Sequence, residues 1–566
     1  YELSGEGQLT TYGMLVTNGA TAAVSAPVVP KGSFTLDVAE DATLDFASPF
    51  VRLSAGELVK KGLGPLALTG SRTLNTLDWN LRGGRTTVTN DAAIGGPVAS
   101  VTIGACTLKF PEGGTYAHDV TLDAGATDRF SVMDVAQDTV ISGALDSVSG
   151  AFIKRGTGTL EVDYPAGSYV ASVGQGAFDR NIAPNVAKWS VPLVFPENGE
   201  SPVISTDGGA NNVGLGGFNV AEGLVRLKGD SATTLAQTNW TVVGVNYPEQ
   251  AAEAELEISG LTFDNSTASA RANFRRFVIG QRTDKDVPFR HPTLRVIDGA
   301  TLKAQGIWLG TAYDVDTYPT LAVTNATVTV DSQFYVNLGD GNNQKCHPVI
   351  RVGPGGAIGF TASAQQDWRY TLCVGMFTDC DVDGGSITIP SGLPGGVLIG
   401  YTACGRLAFR NGGTFEFPML QTRDNKNSEK KMTDLVFAFD NGVMKLNKTG
   451  ESIISAPSTR YVQIEDGGLT VEVGDGLMHT MRLPFRGTGA LTKTGAGTFV
   501  LGVGKENLYS AYPSSGTPTN TVDSGLTTAA YAGKTTVAEG TLVFEEGELV
   551  ATKAVEVAAD ATLELS

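Results

Sequence analysis

One short strand pattern returns throughout this chain, and that recurrence limits its possible folds more than any other feature. VAEDATLDF at Val38–Phe46 comes back as VAADATLEL at Val557–Leu565, and more loosely as LDAGATDRF at Leu122–Phe130. A related unit reads VAEGTLVF at Val537–Phe544 and VAEGLVRL at Val220–Leu227. Each is a strand, a two-residue corner and a second strand. Side chains alternate across a strand, so Thr-Leu-x-Phe sends Leu and Phe to the same side. In the middle of the chain a strand ending in an aliphatic residue and glycine recurs. It falls at Gly244, Gly280, Gly310, Gly339, Gly375 and Gly400, at spacings of 36, 30, 29, 36 and 25 residues. Between these lie TLRVIDGATLKA, TLAVTNATVTV and VIRVGPGGAIGF, and RLAFRNGGTFEF follows the last. Each turns on an Asp-Gly, Asn-Ala, Gly-Gly or Asn-Gly corner, where a positive φ is needed.

A period of this size is one coil of a β-solenoid. A lone coil cannot bury its inward residues, whereas stacked coils pair equivalent strands and share a core. The chain has 566 residues, more than one compact core usually spans. At roughly 25–30 residues per coil it accommodates about 20 coils. A propeller would need longer blades with their own signature, and a sandwich would show two-residue hairpins in place of these variable loops. Helical periodicity is nearly absent. The sequence therefore predicts an all-β chain: a single-stranded right-handed parallel β-helix, one continuous β-helix over 1–566, with long loop insertions. The repeat breaks at 163–215, which reads as a lateral insertion.

Composition fits this fold and narrows the function. Glycine contributes 71 residues and apolar residues 41%, enough to bury a core. The formal net charge is -18, which repels a phosphate backbone, so nucleic acid is not an expected partner. No run of 18 apolar residues offers a membrane span. Five cysteines are too few for a disulfide-stapled scaffold.

Three segments carry a sharper signature. They are GELVKKGLGPLALTG at Gly56–Gly70, GAFIKRGTGTLEV at Gly150–Val162 and GALTKTGAGTFVLGV at Gly489–Val503. GGRTTV follows the first and YAGKTTVAEGTLVF follows the last. This pattern resembles the autotransporter-associated β-strand repeat of passenger-type bacterial surface β-helices. The best match covers 489–544, broken by an insertion at Lys505–Ala530. The resemblance implies an extracellular right-handed β-helix and nothing catalytic. The residues themselves place Leu66, Leu68, Leu160, Val162, Phe499 and Leu501 inside. Lys60, Lys154 and Lys493, each close to a glycine corner, are expected to be exposed.

Candidate chemistry is sparse. Asp379, Asp381 and Asp383 share one strand face and are the catalytic candidates, since clustered carboxylates can do acid/base work on polysaccharide. Asp340, Asp381 and Asp383 are the calcium candidates; no other cofactor is expected. Cys346, Cys373, Cys380 and Cys404 are spaced by about one coil, so pairs on adjacent coils are disulfide candidates. Trp308 alternates outward and offers a stacking surface for a sugar. There is no nucleophile elbow, phosphate loop, dinucleotide fingerprint or H-E-x-x-H.

These observations favour a secreted or cell-surface structural and adhesive β-helix. It would be a fibre segment displaying loops to extracellular glycans or proteins, on the outer surface of a bacterium. End-to-end self-association is a further expectation, because a solenoid without caps exposes strand edges. The alternatives are a polysaccharide-active β-helix enzyme, a lyase or glycoside hydrolase, and a non-catalytic glycan-binding module. An enzyme requires a cleft where the Asp379–Asp383 carboxylates meet a Lys, Arg or His of a neighbouring coil. A purely structural coil leaves them apart in solvent.

Overall fold

The computed structural model describes residues 1–566 except 18, 52–53, 73–75, 97, 126–128, 175–216, 245–252, 267–275, 281–290, 311–315, 337–345, 362–371, 393–395, 401–402, 424–433, 454–458, 503–504, 508–520, 524–528 and 546–551. Most of the 163–215 break in the repeat therefore lies outside the described residues. The chain is a parallel β-helix that divides into two compact units, Tyr1–Arg295 and Val296–Ser566.

In the first unit, seven strands stack in parallel from Leu9–Val16 through Val28–Val38, Ser54–Lys61, Trp79–Leu81, Val101–Ile103, Val120–Asp123 and Leu145–Ser149. A second stack runs from Thr21–Val24 through Thr43–Phe46 and Leu66–Leu68 to Arg85–Val88 and beyond. A third joins Gly114–Tyr116, Thr139–Ile141, Leu160–Asp163, Gly223–Lys228 and Ala254–Ser259. Each coil gives one strand to each stack it passes.

The second unit repeats the scheme. Thr320–Thr324, Val349–Val352, Thr378–Asp383, Gly405–Arg410, Leu435–Asp440 and Arg460–Ile464 form one parallel ladder. Its inward positions form columns. Ile350, Cys380, Leu407, Phe437 and Val462 are register partners and all are buried. Beside them Phe409 stacks on Phe439 at 5.1 Å and on Phe415 at 4.9 Å. Identical register brings like side chains into contact, so each coil shields the next. A short antiparallel pair, Lys505–Asn507 with Thr521–Asp523, falls within the Lys505–Ala530 insertion.

The corners explain the choice of turn residues. Asp298, Asn325, Asn411 and Asn441 have φ of 56°, 47°, 53° and 56°. Asn and Asp tolerate the left-handed region better than other side chains do. The loops also stack: Asn325 N–H donates to Pro354 O, and Gly412 N–H to Asn441 O.

One expectation is overturned. Lys60, Lys154 and Lys493 are fully buried. Lys154 Nζ donates to the carbonyls of Gly156 at 2.6 Å, Gly158 at 2.5 Å and Glu222 at 2.8 Å. Lys493 Nζ donates to Thr494, Gly495 and Glu539 carbonyls, and Lys60 Nζ to those of Gly62 and Gly83. The physical reason lies in the corner itself. Its glycine turn aims carbonyls inward, and an ammonium has three donors to satisfy them. The last carbonyl in each set comes from the following coil, so the lysine ties two coils together. The motif glycine beyond is required as well: a Cβ on Gly223 (φ +67°) would lie 2.4 Å from Lys154 Nζ. Leu66, Leu68, Leu160, Val162, Phe499 and Leu501 are all buried, as expected.

Candidate functional site

The outward face of the Val349–Val352 to Arg460–Ile464 ladder carries rows of paired opposite charges. Alternation sets it up: Thr378, Cys380 and Val382 point in, so Asp379, Asp381 and Asp383 point out. Gly405–Arg410 does the same with Arg406, Ala408 and Arg410. Register then aligns three outward rows. One contains Asp379, Arg406, Val436 and Tyr461. The second contains Arg351, Asp381, Ala408, Ala438 and Gln463, and the third Asp383, Arg410 and Asp440.

These rows pair charges across coils. Arg351 bonds the Asp379 carboxylate, and Arg410 Nη2 bonds Asp381 Oδ2. Arg410 Nε lies 3.7 Å from Asp383, whose other oxygen accepts from Asn411 Nδ2 at 2.7 Å. Arg406 reaches past the next strand to Glu465 at 2.6 Å. Asp440 Oδ1 accepts the Gly467 N–H at 2.7 Å. The small Ala408 and Ala438, neighbours in the middle row, leave a depression of about 190 Å³ between these side chains. Arg351, Arg406, Arg410, Asp381, Asp440 and Glu465 surround it.

The carboxylates meet arginines of neighbouring coils and form ion pairs around the depression. Of the calcium candidates, Asp381 gives its Oδ2 to Arg410, and Asp383 gives one oxygen to Arg410 and the other to Asn411. Among the described residues no group of three or more His, Cys, Asp or Glu is arranged to hold a metal. Asp340, the third calcium candidate, lies outside the described residues.

The chain is 34% identical over 109 residues to the Adhesin BmaC autotransporter of Brucella suis biovar 1 (strain 1330). That match covers 19% of this chain and 3% of that protein, so the chain spans a small part of its relative's length. No family model and no solved structure matches the chain.

The cysteine candidates, Cys346, Cys373, Cys380 and Cys404, are all thiols buried in the interior. Cys380 has Ile350 and Leu407 as register partners, and Cys373 has Tyr335 and Leu398. Cys346 bridges Thr317, and Cys404 lies just before the ladder, where its Sγ accepts the Phe377 N–H. Burial pushes the Cys380 thiol pKa up, so its thiolate is disfavoured.

Trp308 is half-buried on the outer side of its strand, its ring edge-on to Tyr335 at 6.0 Å. His479 is buried, its Nε2 2.9 Å from Ser452 Oγ and its Nδ1 3.1 Å from Lys448 O. Burial lowers its pKa to about 4, which makes it a neutral structural ring. Sequence reasoning missed Arg351, Arg406, Arg410 and Glu465. The signal was present in VIRV and GRLAFR, where arginine alternates with inward apolar residues. Among the described residues no helix is long and apolar enough to cross a membrane.

Proposed function

We propose that this chain is a segment of a bacterial cell-surface adhesive β-helix, passenger-like in kind, that presents its outward faces and loops to extracellular glycans or proteins. The observation that carries the reading is the lysine-tied corner. All three autotransporter-type segments place a buried lysine on backbone carbonyls of two coils. A motif spent wholly on holding coils together supports a scaffold. The likeness to an autotransporter adhesin over 109 residues points the same way. Adhesion on such a scaffold sums many weak contacts spread over a long surface.

The test is direct. Labelled chain is added to host cells and to immobilised extracellular matrix, and antibody against it is applied to intact producing bacteria. Saturable binding and surface labelling are expected. Labelling confined to permeabilised bacteria, with no saturable binding to any surface, would overturn the proposal.

A further inference from the structure

We infer that the Ala408–Ala438 depression binds one sugar unit bearing a free amino group. This rests on the adhesive reading and names its ligand chemistry. Three observations converge on it.

Size comes first. About 190 Å³ is below the range of about 300–1,000 Å³ typical of pockets for drug-sized ligands. It suits a single ring. Its floor is two alanine methyls in adjacent coils, an apolar patch for the C–H face of a sugar.

Donors and acceptors come second. Sugar hydroxyls both give and take hydrogen bonds, so they need both kinds of partner. The guanidinium groups of Arg351, Arg406 and Arg410 supply donors, and Asp381, Asp440 and Glu465 supply acceptors. Asp381 Oδ1 is buried and has no hydrogen-bond partner among the described residues, although its Oδ2 is held by Arg410.

Net charge comes third and selects the ligand. Arg351 with Asp379 and Arg406 with Glu465 are balanced pairs. Arg410 is shared by two carboxylates, Asp381 and Asp383, and the Asp440 carboxylate adds another negative charge. The depression is therefore negative in sum. It favours an ammonium over a carboxylate, so an amino sugar is preferred to a uronic acid.

The experiment titrates the full chain by calorimetry with glucosamine oligomers, their N-acetylated forms and oligogalacturonate. The expected order is amine first, then N-acetyl at least tenfold weaker, then uronate with no measurable binding. Ala408→Leu, which fills the floor, should weaken the amine oligomer at least tenfold. Asp381→Asn, which removes one negative charge and keeps the side chain's shape, should erase most of the preference for amine over N-acetyl. Circular dichroism on both variants confirms folding. Uronate binding best, no binding by any oligomer, or both variants binding like the original chain would overturn the inference. Adhesion to cells without amino-sugar binding would sink this inference and leave the adhesive reading standing. Loss of adhesion alone, with amino-sugar binding intact, would do the reverse.

Discussion

Lys154 and Arg406 are both cations that bond to another coil, yet they are held in opposite ways. Lys154 is sealed inside, its three donors fixed on the carbonyls of Gly156, Gly158 and Glu222. Arg406 is half-exposed and held by one carboxylate, Glu465. Arg226 is intermediate: it sits on the outer face but between Glu161 at 2.9 Å and Glu257 at 2.5 Å, its register neighbours. The difference separates structure from recognition. A buried charge satisfied by backbone cannot move without breaking the corner, whereas an exposed ion pair gains little and can be exchanged for a ligand.

This ordering can be broken by experiment. The largest effect is expected at the corner. Lys154→Met keeps the length but leaves buried carbonyls without donors, and should cost about 3 kcal/mol in denaturant unfolding. A loss under about 1 kcal/mol would mean that the corner holds without its ammonium.

The pH response of the same residue is expected next. Burial lowers the Lys154 pKa from 10.5 to about 7, against the raising influence of Glu222, Asp134 and Asp138. Between those two values the unfolded chain keeps a proton that the folded chain releases. Raising the pH through that window therefore favours the folded state, and the gain is complete near the unfolded value. The thermal midpoint of the original chain should rise relative to that of Lys154→Met as pH increases from neutral to alkaline. A constant gap would show that the ammonium keeps its proton in the fold.

Arg226→Ala should cost about 1 kcal/mol, since it parts two carboxylates from one guanidinium in a partly buried network. Its pKa is raised by the hydrogen bonds to Glu161 and Glu257, so the cation persists at every practical pH. The smallest effect belongs to Arg406→Ala, at most about 0.5 kcal/mol, and it should shrink further in salt. Equal losses at Arg406 and Lys154 would erase the distinction.

The fold was legible because its rule is local. Val38–Phe46 and Val557–Leu565 alternate in period two, and the corner residues announce their own geometry, as Asn325 and Asn411 confirm with positive φ. The lysines were misread for a physical reason. Charge normally signals exposure, and only the three-dimensional aim of the glycine-turn carbonyls shows why Lys60, Lys154 and Lys493 go inside. The register of the cysteines was not legible, because a spacing counts residues while pairing depends on coil length: Cys380 pairs with Leu407, three residues beyond Cys404. The outward aspartates were visible from Asp379-x-Asp381-x-Asp383 alone. Their arginine partners were not, since these lie 27 or more residues away in chain order and meet only once coil lengths are known.

Register is the claim on which the rest stands. Ala408 and Ala438 are direct parallel partners on one face, about 4.8 Å apart by strand spacing. A chain carrying Ala408→Cys and Ala438→Cys should be joined by a short bimane cross-linker, and peptide mapping should find that link. A companion pair, Ala408→Cys with Phe437→Cys, points to opposite faces and should stay unlinked. Linking of the companion pair in place of the first would mean that the strands are offset by one residue, and the coil register described for this face would be wrong.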